Sequence, residues 1–241
     1  MGIRSKHVLP QPSRVYTVLN QKGGVGKSTI AMNGAAVTSN ALYGDEENSP
    51  VLVASTDPQG SAIWWAARSA ELGALPFHIT KIDDPEQLRQ LPSYDQFKRI
   101  WIDTPGWIGA APSSSSDDFG RRAIDEALSI TDMAVVPITT EPLSFDPTAR
   151  TIDSLLLPRG IPFRVVINDF DPRDGELDLE RTIDFIDSHG WPRAKTIIRH
   201  YKVHVRAAAL GQVVTEYGEN RVSRHAREDF QNLVLGLEVE R

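Results

Sequence analysis

The stretch "NQKGGVGKST", Asn20–Thr29, decides how the rest of the chain is read. It follows the β-branched run "VYTVLN", Val15–Asn20, and runs into Lys27–Leu42, a segment with the character of a helix. A strand, a glycine-rich turn and a helix start together make an anion site, because backbone N–H groups and the helix dipole converge on phosphate oxygens. In such a loop Gly23, Gly24, Val25 and Gly26 supply the amides and Lys27 reaches the outer phosphates. The Ser28 hydroxyl is placed to ligate Mg²⁺, and Thr29 lies within reach of a phosphate nearer the sugar. Two features depart from the general phosphate-loop pattern. Gln21 stands where that pattern has its first glycine, and a second lysine, Lys22, sits inside the turn.

Outward from the loop, strand-like and helix-like segments alternate. "VLVAS" (Val51–Ser55), "FHITKI" (Phe77–Ile82), "RIWID" (Arg99–Asp103), "MAVVPI" (Met133–Ile138), "FRVVIN" (Phe163–Asn168) and the short "KTII" (Lys195–Ile198) read as strands. Helices are expected over Gly60–Leu72, "PEQLRQL" (Pro85–Leu91), Asp118–Leu128, Pro147–Leu157, Glu180–Ser188 and the chain end, where Ala226, Phe230, Leu233, Val234 and Leu237 form one apolar stripe. Apolar strands that do not alternate, separated by helices, predict an α/β fold. Its sheet is mainly parallel and twisted, with helices on both faces of a single domain spanning 15–241. Residues 1–14 are basic, lack an apolar core and are expected to be a disordered tail. The polar "GAAPSSSSDD", Gly109–Asp118, is expected to be a mobile loop on the ligand face. Of the adjacent Trp64 and Trp65, helical geometry sends one inward and leaves the other for a surface contact, while Trp101 is expected in the core.

"KGGVGKST", Lys22–Thr29, matches the deviant Walker A motif at each position, and the chain here resembles the ParA/MinD group of P-loop ATPases. The preceding "NQ" is most similar to the ParA branch, which partitions plasmids and chromosomes. The resemblance runs from about Val15 to Arg227 and implies ATP and Mg²⁺ as cofactors and ATP hydrolysis as the reaction. It also implies an ATP-dependent homodimer in which Lys22 reaches across to the partner's phosphates. The physics agrees with that role, since phosphoryl transfer needs cationic stabilisation and a cation supplied in trans makes turnover depend on dimerisation. "STDPQGS", Ser55–Ser61, resembles the family's D-x-D-P-Q motif, giving Asp57 the positioning of the attacking water; Ser55 replaces the first Asp. "RIWIDTPG" resembles Walker B, delivering Asp103 to hold a water on Mg²⁺, with Thr104–Gly106 sensing the γ-phosphate. Asn168 occupies a position where the family often contacts adenine.

Composition sets the outer bounds. The 241 residues suffice for one large domain. The absence of cysteine excludes disulfides, thiolate nucleophiles and iron–sulfur clusters, and leads to the expectation of a cytoplasmic protein. No apolar run reaches the roughly 18 residues of a membrane span. Net charge is −6, yet Arg199–Arg227 carries six basic residues (Arg199, Lys202, Arg206, Arg221, Arg224, Arg227) against Glu216 and Glu219. "HYKVHVRAAALGQVVTEYG", His200–Gly218, resembles the C-terminal part of ParA proteins, which bind DNA without sequence preference as ATP dimers. Arg199, Lys202, Arg206, Arg221 and Arg224 are the corresponding DNA candidates, and the protein is expected to be nucleoid-associated. The partner implied is a ParB-like centromere-binding protein that stimulates hydrolysis. Two other readings stay open: an ATP-switched scaffold positioning a protein cargo, and a MinD-like membrane-associated regulator. The acidic "LEVER" finish speaks against an anionic lipid surface, and no membrane partner is expected.

Overall fold

Residues 13–44, 48–69, 75–106 and 115–239 are described by a computed structural model. The β-branched runs of the sequence become β1 (Arg14–Val18), β2 (Val51–Ser55), β3 (His78–Lys81), β4 (Arg99–Asp103), β5 (Met133–Ile138) and β6 (Phe163–Ile167). They form one six-stranded sheet in the order β3-β2-β4-β1-β5-β6. Every pairing is parallel. β1 sits between β4 and β5, so the chain changes direction of winding there, and in open α/β sheets the crevice at such a point takes the ligand.

The helices are α1 (Lys27–Leu42), α2 (Ser61–Ser69), α3 (Ser115–Ser129), α4 (Phe145–Thr151), α5 (Glu176–Ser188), α6 (Lys202–Ala209) and α7 (Arg221–Val239). One face of the sheet carries α1, α2, α6 and α7. There Ile30, Met32 and Ala35 of α1 and Phe230 and Leu233 of α7 join Val18, Val53 and Trp101 in a single apolar cluster. The other face carries α3, α4 and α5 over Leu19, Val136, Val165 and Ile167, with a second patch around Leu88, Ile100 and Ile102. α1 is enclosed on nearly all sides. Its Gly34 lies under the Trp101 ring, where a Cβ would come within 2.7 Å, and Trp101 in turn stacks on Tyr16 at 4.7 Å.

The stripe foreseen on the last helix is buried against the body. The Asn220 carboxamide caps its N-terminus, accepting from the Val222 and Ser223 N–H groups, both at 2.9 Å. At the other end, Glu238 accepts from Arg99 Nε (2.7 Å) and the Tyr16 hydroxyl (2.8 Å), pinning the helix to β1 and β4. The apolar face that a membrane-lying helix needs is therefore spent on the core. Among the described residues no helix is long and apolar enough to cross a membrane.

Several sequence expectations shift. Arg14, placed in the tail, opens β1 and pairs in register with Arg99; residues 1–12 lie outside the described residues. "KTII" forms no strand. Its neighbourhood follows the β6 edge only through the Val165–Arg193 and Phe170–Arg199 bridges. Pro192 has no N–H to donate there and serves the edge only as an acceptor, taking the Val165 N–H at 2.9 Å. "PEQLRQL" is a 3₁₀ helix, Pro85–Ser93. The segment expected as one helix over 147–157 is α4 followed by a π turn, Ile152–Leu156, and a 3₁₀ turn, Leu157–Arg159, that ends at Gly160. Of the Gly109–Asp118 loop, Ser115 onward belongs to α3, and 107–114 lies outside the described residues.

Candidate functional site

The carboxyl ends of four strands converge. The loop 19–26 leaves β1, Asp57 follows β2, Asp103 ends β4 and Asn168 follows β6. Gly24 and Gly26 take φ of 79° and 88°, a region open to glycine at no steric cost. Gly26 has a second reason to lack a side chain, because a Cβ would lie 2.2 Å from the Asn168 amide nitrogen. That nitrogen donates to the Val25 carbonyl at 2.9 Å, so Asn168 braces the loop as well as lining the space above it.

Lys27 is buried, and its ammonium donates to the Lys22 carbonyl at 3.0 Å. Burial lowers its pKa, opposed by the charges of Asp103 and Asp57. A desolvated cation beside free loop amides is a strong attractor for a polyphosphate. The Ser28 hydroxyl donates to Asp103 Oδ2 at 2.9 Å. Asp103 is fully buried, its Oδ1 has no hydrogen-bond partner, and burial pushes its pKa up to about 7. An orphaned carboxylate oxygen next to a serine hydroxyl fits Mg²⁺, a hard cation that takes oxygen donors and keeps part of its water shell. Ser28 and Asp103 are the residues that would hold it. Ser55, in register with Asp103 on the adjoining strand, also has a buried hydroxyl without a partner. Asp57 is half-exposed, and its Oδ1 accepts from the Gln59 N–H at 3.0 Å, leaving Oδ2 for a water.

A cavity of about 820 Å³ joins these parts. Gly23, Gly24, Lys27, Ser28, Asp57 and Gly106 line it together with Asn168, Asp169, His200, Tyr201 and His204. Lys22 contributes nothing to this lining. Its N–H donates to Asn20 Oδ1 at 2.8 Å, and its side chain is half-buried beside the cavity. Trp65 is buried, with its indole N–H on the Gln212 carbonyl, whereas Trp64 stays half-exposed on the rim with the Arg68 guanidinium 3.5 Å from its ring.

Of the five basic candidates, Arg199 is the one in an ion pair: its guanidinium donates to Asp229 through two bonds, 3.0 and 2.6 Å, and its side chain stays about a third exposed. Lys202, Arg206, Arg221 and Arg224 are exposed. Lys202 and Arg206 border a separate groove of about 520 Å³.

Sequence reading missed the contacts behind the loop: Asn20, Thr148 and Thr151, and the Asp169–His200 pair at 2.7 Å. Asp169, at φ 61°, is the one non-glycine residue with positive φ among those described. A buried-type Asn two places before Lys22 is the only local signal of the first group.

A curated relative, the maintenance of carboxysome distribution protein A of Gloeobacter kilaueensis, is 34% identical over 228 residues, covering 93% of this chain and 94% of its own. This chain belongs to the ParA/MinD family of ATPases. No protein-family model matches it. Among solved structures the MinC:MinD cell division complex of Aquifex aeolicus aligns with TM-score 0.70 at 15% identity, covering 95% of this chain and 97% of that one. The ATP complex of Cyanothece McdA gives 0.66 at 11% over 96% and 98%. A plasmid partition protein of Borrelia burgdorferi bound to AMPPNP gives 0.63 at 17% over 95% and 100%. These likenesses carry the fold. Family membership makes the chain an ATPase with ATP and Mg²⁺ as cofactors, and the loop, the buried lysine and the orphaned carboxylate fit both.

Proposed function

We propose that the chain is an ATP-switched positioning ATPase that distributes a protein assembly inside the cell. ATP closes two copies face to face, and each Lys22 reaches the other's phosphates. Lys27 and the loop amides hold the triphosphate, with Asn168 at the base. Ser28 and Asp103 hold Mg²⁺, which supplies charge neutralisation at the phosphates when bound. Asp57 orients a water whose oxygen takes the γ-phosphoryl group; the bond to the bridging oxygen breaks, and ADP leaves with that electron pair. The closed dimer binds DNA without sequence preference through Lys202, Arg206, Arg221 and Arg224 of both copies, an affinity that falls with salt. A partner carried by the cargo stimulates hydrolysis and releases the dimer.

The observation that carries this reading is the 34% identity, along nearly the whole chain, to a protein named for carboxysome distribution. It favours a protein cargo over the plasmid or chromosome cargo of a ParB-like centromere-binding partner. Light scattering of the ATP-loaded protein and DNA co-sedimentation at low salt with ATP, ADP or no nucleotide test the switch. An ATP-loaded monomer, or equal DNA binding in all three states, refutes it. In host cells lacking the gene, plasmid loss with evenly spaced protein bodies would move the assignment back to DNA partition.

A further inference from the structure

The phosphate loop is held by two sets of contacts. Its second half, Val25–Thr29, is tied to Asn168, Asp103 and the enclosed α1. Its first half is tied to α4. Asn20, almost fully buried, donates from Nδ2 to the Pro137 carbonyl and to Thr148 Oγ1, both at 2.8 Å, while its Oδ1 receives the Lys22 N–H. The Gln21 N–H donates to Thr151 Oγ1 at 3.0 Å. Each threonine spends its own proton on its helix. Thr148 donates to the Ser144 carbonyl and Thr151 to the Pro147 carbonyl, both at 2.7 Å. Their oxygens therefore face the loop as acceptors only. Both threonines are completely buried, so no water substitutes for them.

We propose that Thr148 and Thr151 of α4 are positioning residues for Lys22, setting the direction in which that lysine leaves its own subunit. The inference rests on the reading of Lys22 as a cation supplied in trans. Positions 20 to 22 are held by α4 and Asn20 through the Asn20 carboxamide and the Gln21 and Lys22 N–H groups, and this half of the loop meets the phosphate-gripping lysine at the Lys22 carbonyl, which accepts from Lys27 Nζ at 3.0 Å. α4 therefore acts first on the direction of Lys22 and reaches Lys27 through that one carbonyl. The π turn that begins right after Thr151 fits this role, since such wide turns are frequent at functional places in helices.

Thr151→Val keeps the shape and removes the acceptor. ATP affinity of the monomer, read with a fluorescent ATP analogue, is expected to stay within twofold. The kcat of ATP hydrolysis at dimer-forming concentration is expected to drop roughly tenfold, as misdirection of a catalytic group does. Thr151→Ser retains the hydroxyl and is expected to restore most of kcat. In the Lys22→Ala background, Thr151→Val is expected to add no further loss, because both act on one interaction. Thr148→Val serves as the second variant should Thr151→Val fail to fold. Equal behaviour of the Val and Ser variants, loss of ATP affinity in step with kcat, or losses that add to Lys22→Ala would overturn the proposal. Lys22→Ala with unchanged kcat overturns the trans-lysine reading and this inference together. Impaired Lys22→Ala with intact Thr151→Val and Thr148→Val overturns this inference alone.

Discussion

Asp103→Asn should make the nucleotide-free protein more stable, and by an amount that grows with pH. Burial pushes the Asp103 carboxyl from 3.8 up to about 7, and the Ser28 hydrogen bond only partly counters it. The native state thus keeps this proton where the unfolded chain has lost it. Stability from this group is fully present below about pH 4 and is lost as pH rises through 7. At about 1.4 kcal/mol per pH unit the full loss is on the order of 4 kcal/mol. Asparagine carries no charge, so relative to the parent it gains roughly 2 kcal/mol at pH 5 and roughly 4 kcal/mol at pH 8.5 by the same linkage. Urea unfolding of both proteins at pH 5, 6, 7 and 8.5, with chelator and without nucleotide, reads the difference, in which titrating groups other than the coupled Asp57 and Lys27 cancel. A difference that stays constant across this range refutes the reasoning, because an asparagine that merely packs better or worse gives an offset and no slope. With Mg²⁺ and ADP present the order should reverse, since only the carboxylate offers the metal a charged oxygen.

Other perturbations follow from the same structure. Ser55→Ala removes a buried hydroxyl that has no partner. Nucleotide-free stability should be unchanged or higher by about 1 kcal/mol in urea melts, where losing a satisfied hydroxyl would cost about that much. Gly34→Ala sets a methyl 2.7 Å from the Trp101 ring; thermal melts should show a loss of about 2 kcal/mol, with Trp101 fluorescence altered. Glu238→Ala leaves Arg99 and Tyr16 without their carboxylate and should cost about 3 kcal/mol, with Glu238→Gln recovering part. Hydrogen exchange at the end of α7 should rise in the same order.

Much of this arrangement is legible in the chain because it is local. A strand ending in glycines and lysines at fixed spacing states its own geometry, and the helix predicted over Lys27–Leu42 has those bounds in the structure. The buried parallel strands announce themselves as unbroken β-branched runs. What sequence reading missed is non-local. Asn20 meets Thr148 across 128 positions and Gln21 meets Thr151 across 130, and no periodicity relates such residues. Arg199 carried the same charge as its exposed neighbours, but its partner Asp229 lies 30 positions away on α7. The π turn breaks a helix that propensity reads as continuous, and "KTII" has strand composition without an uninterrupted edge to join.

The depth of α1 has a bearing on how such proteins diversify. The element that presents the phosphate-gripping lysine is walled in by the sheet on one side and by α7 on another, so a change along it disturbs packing. Exposed positions such as Trp64, Lys202 and Arg206 carry no such burden. The outer surface can therefore be altered without disturbing the element that holds the lysine.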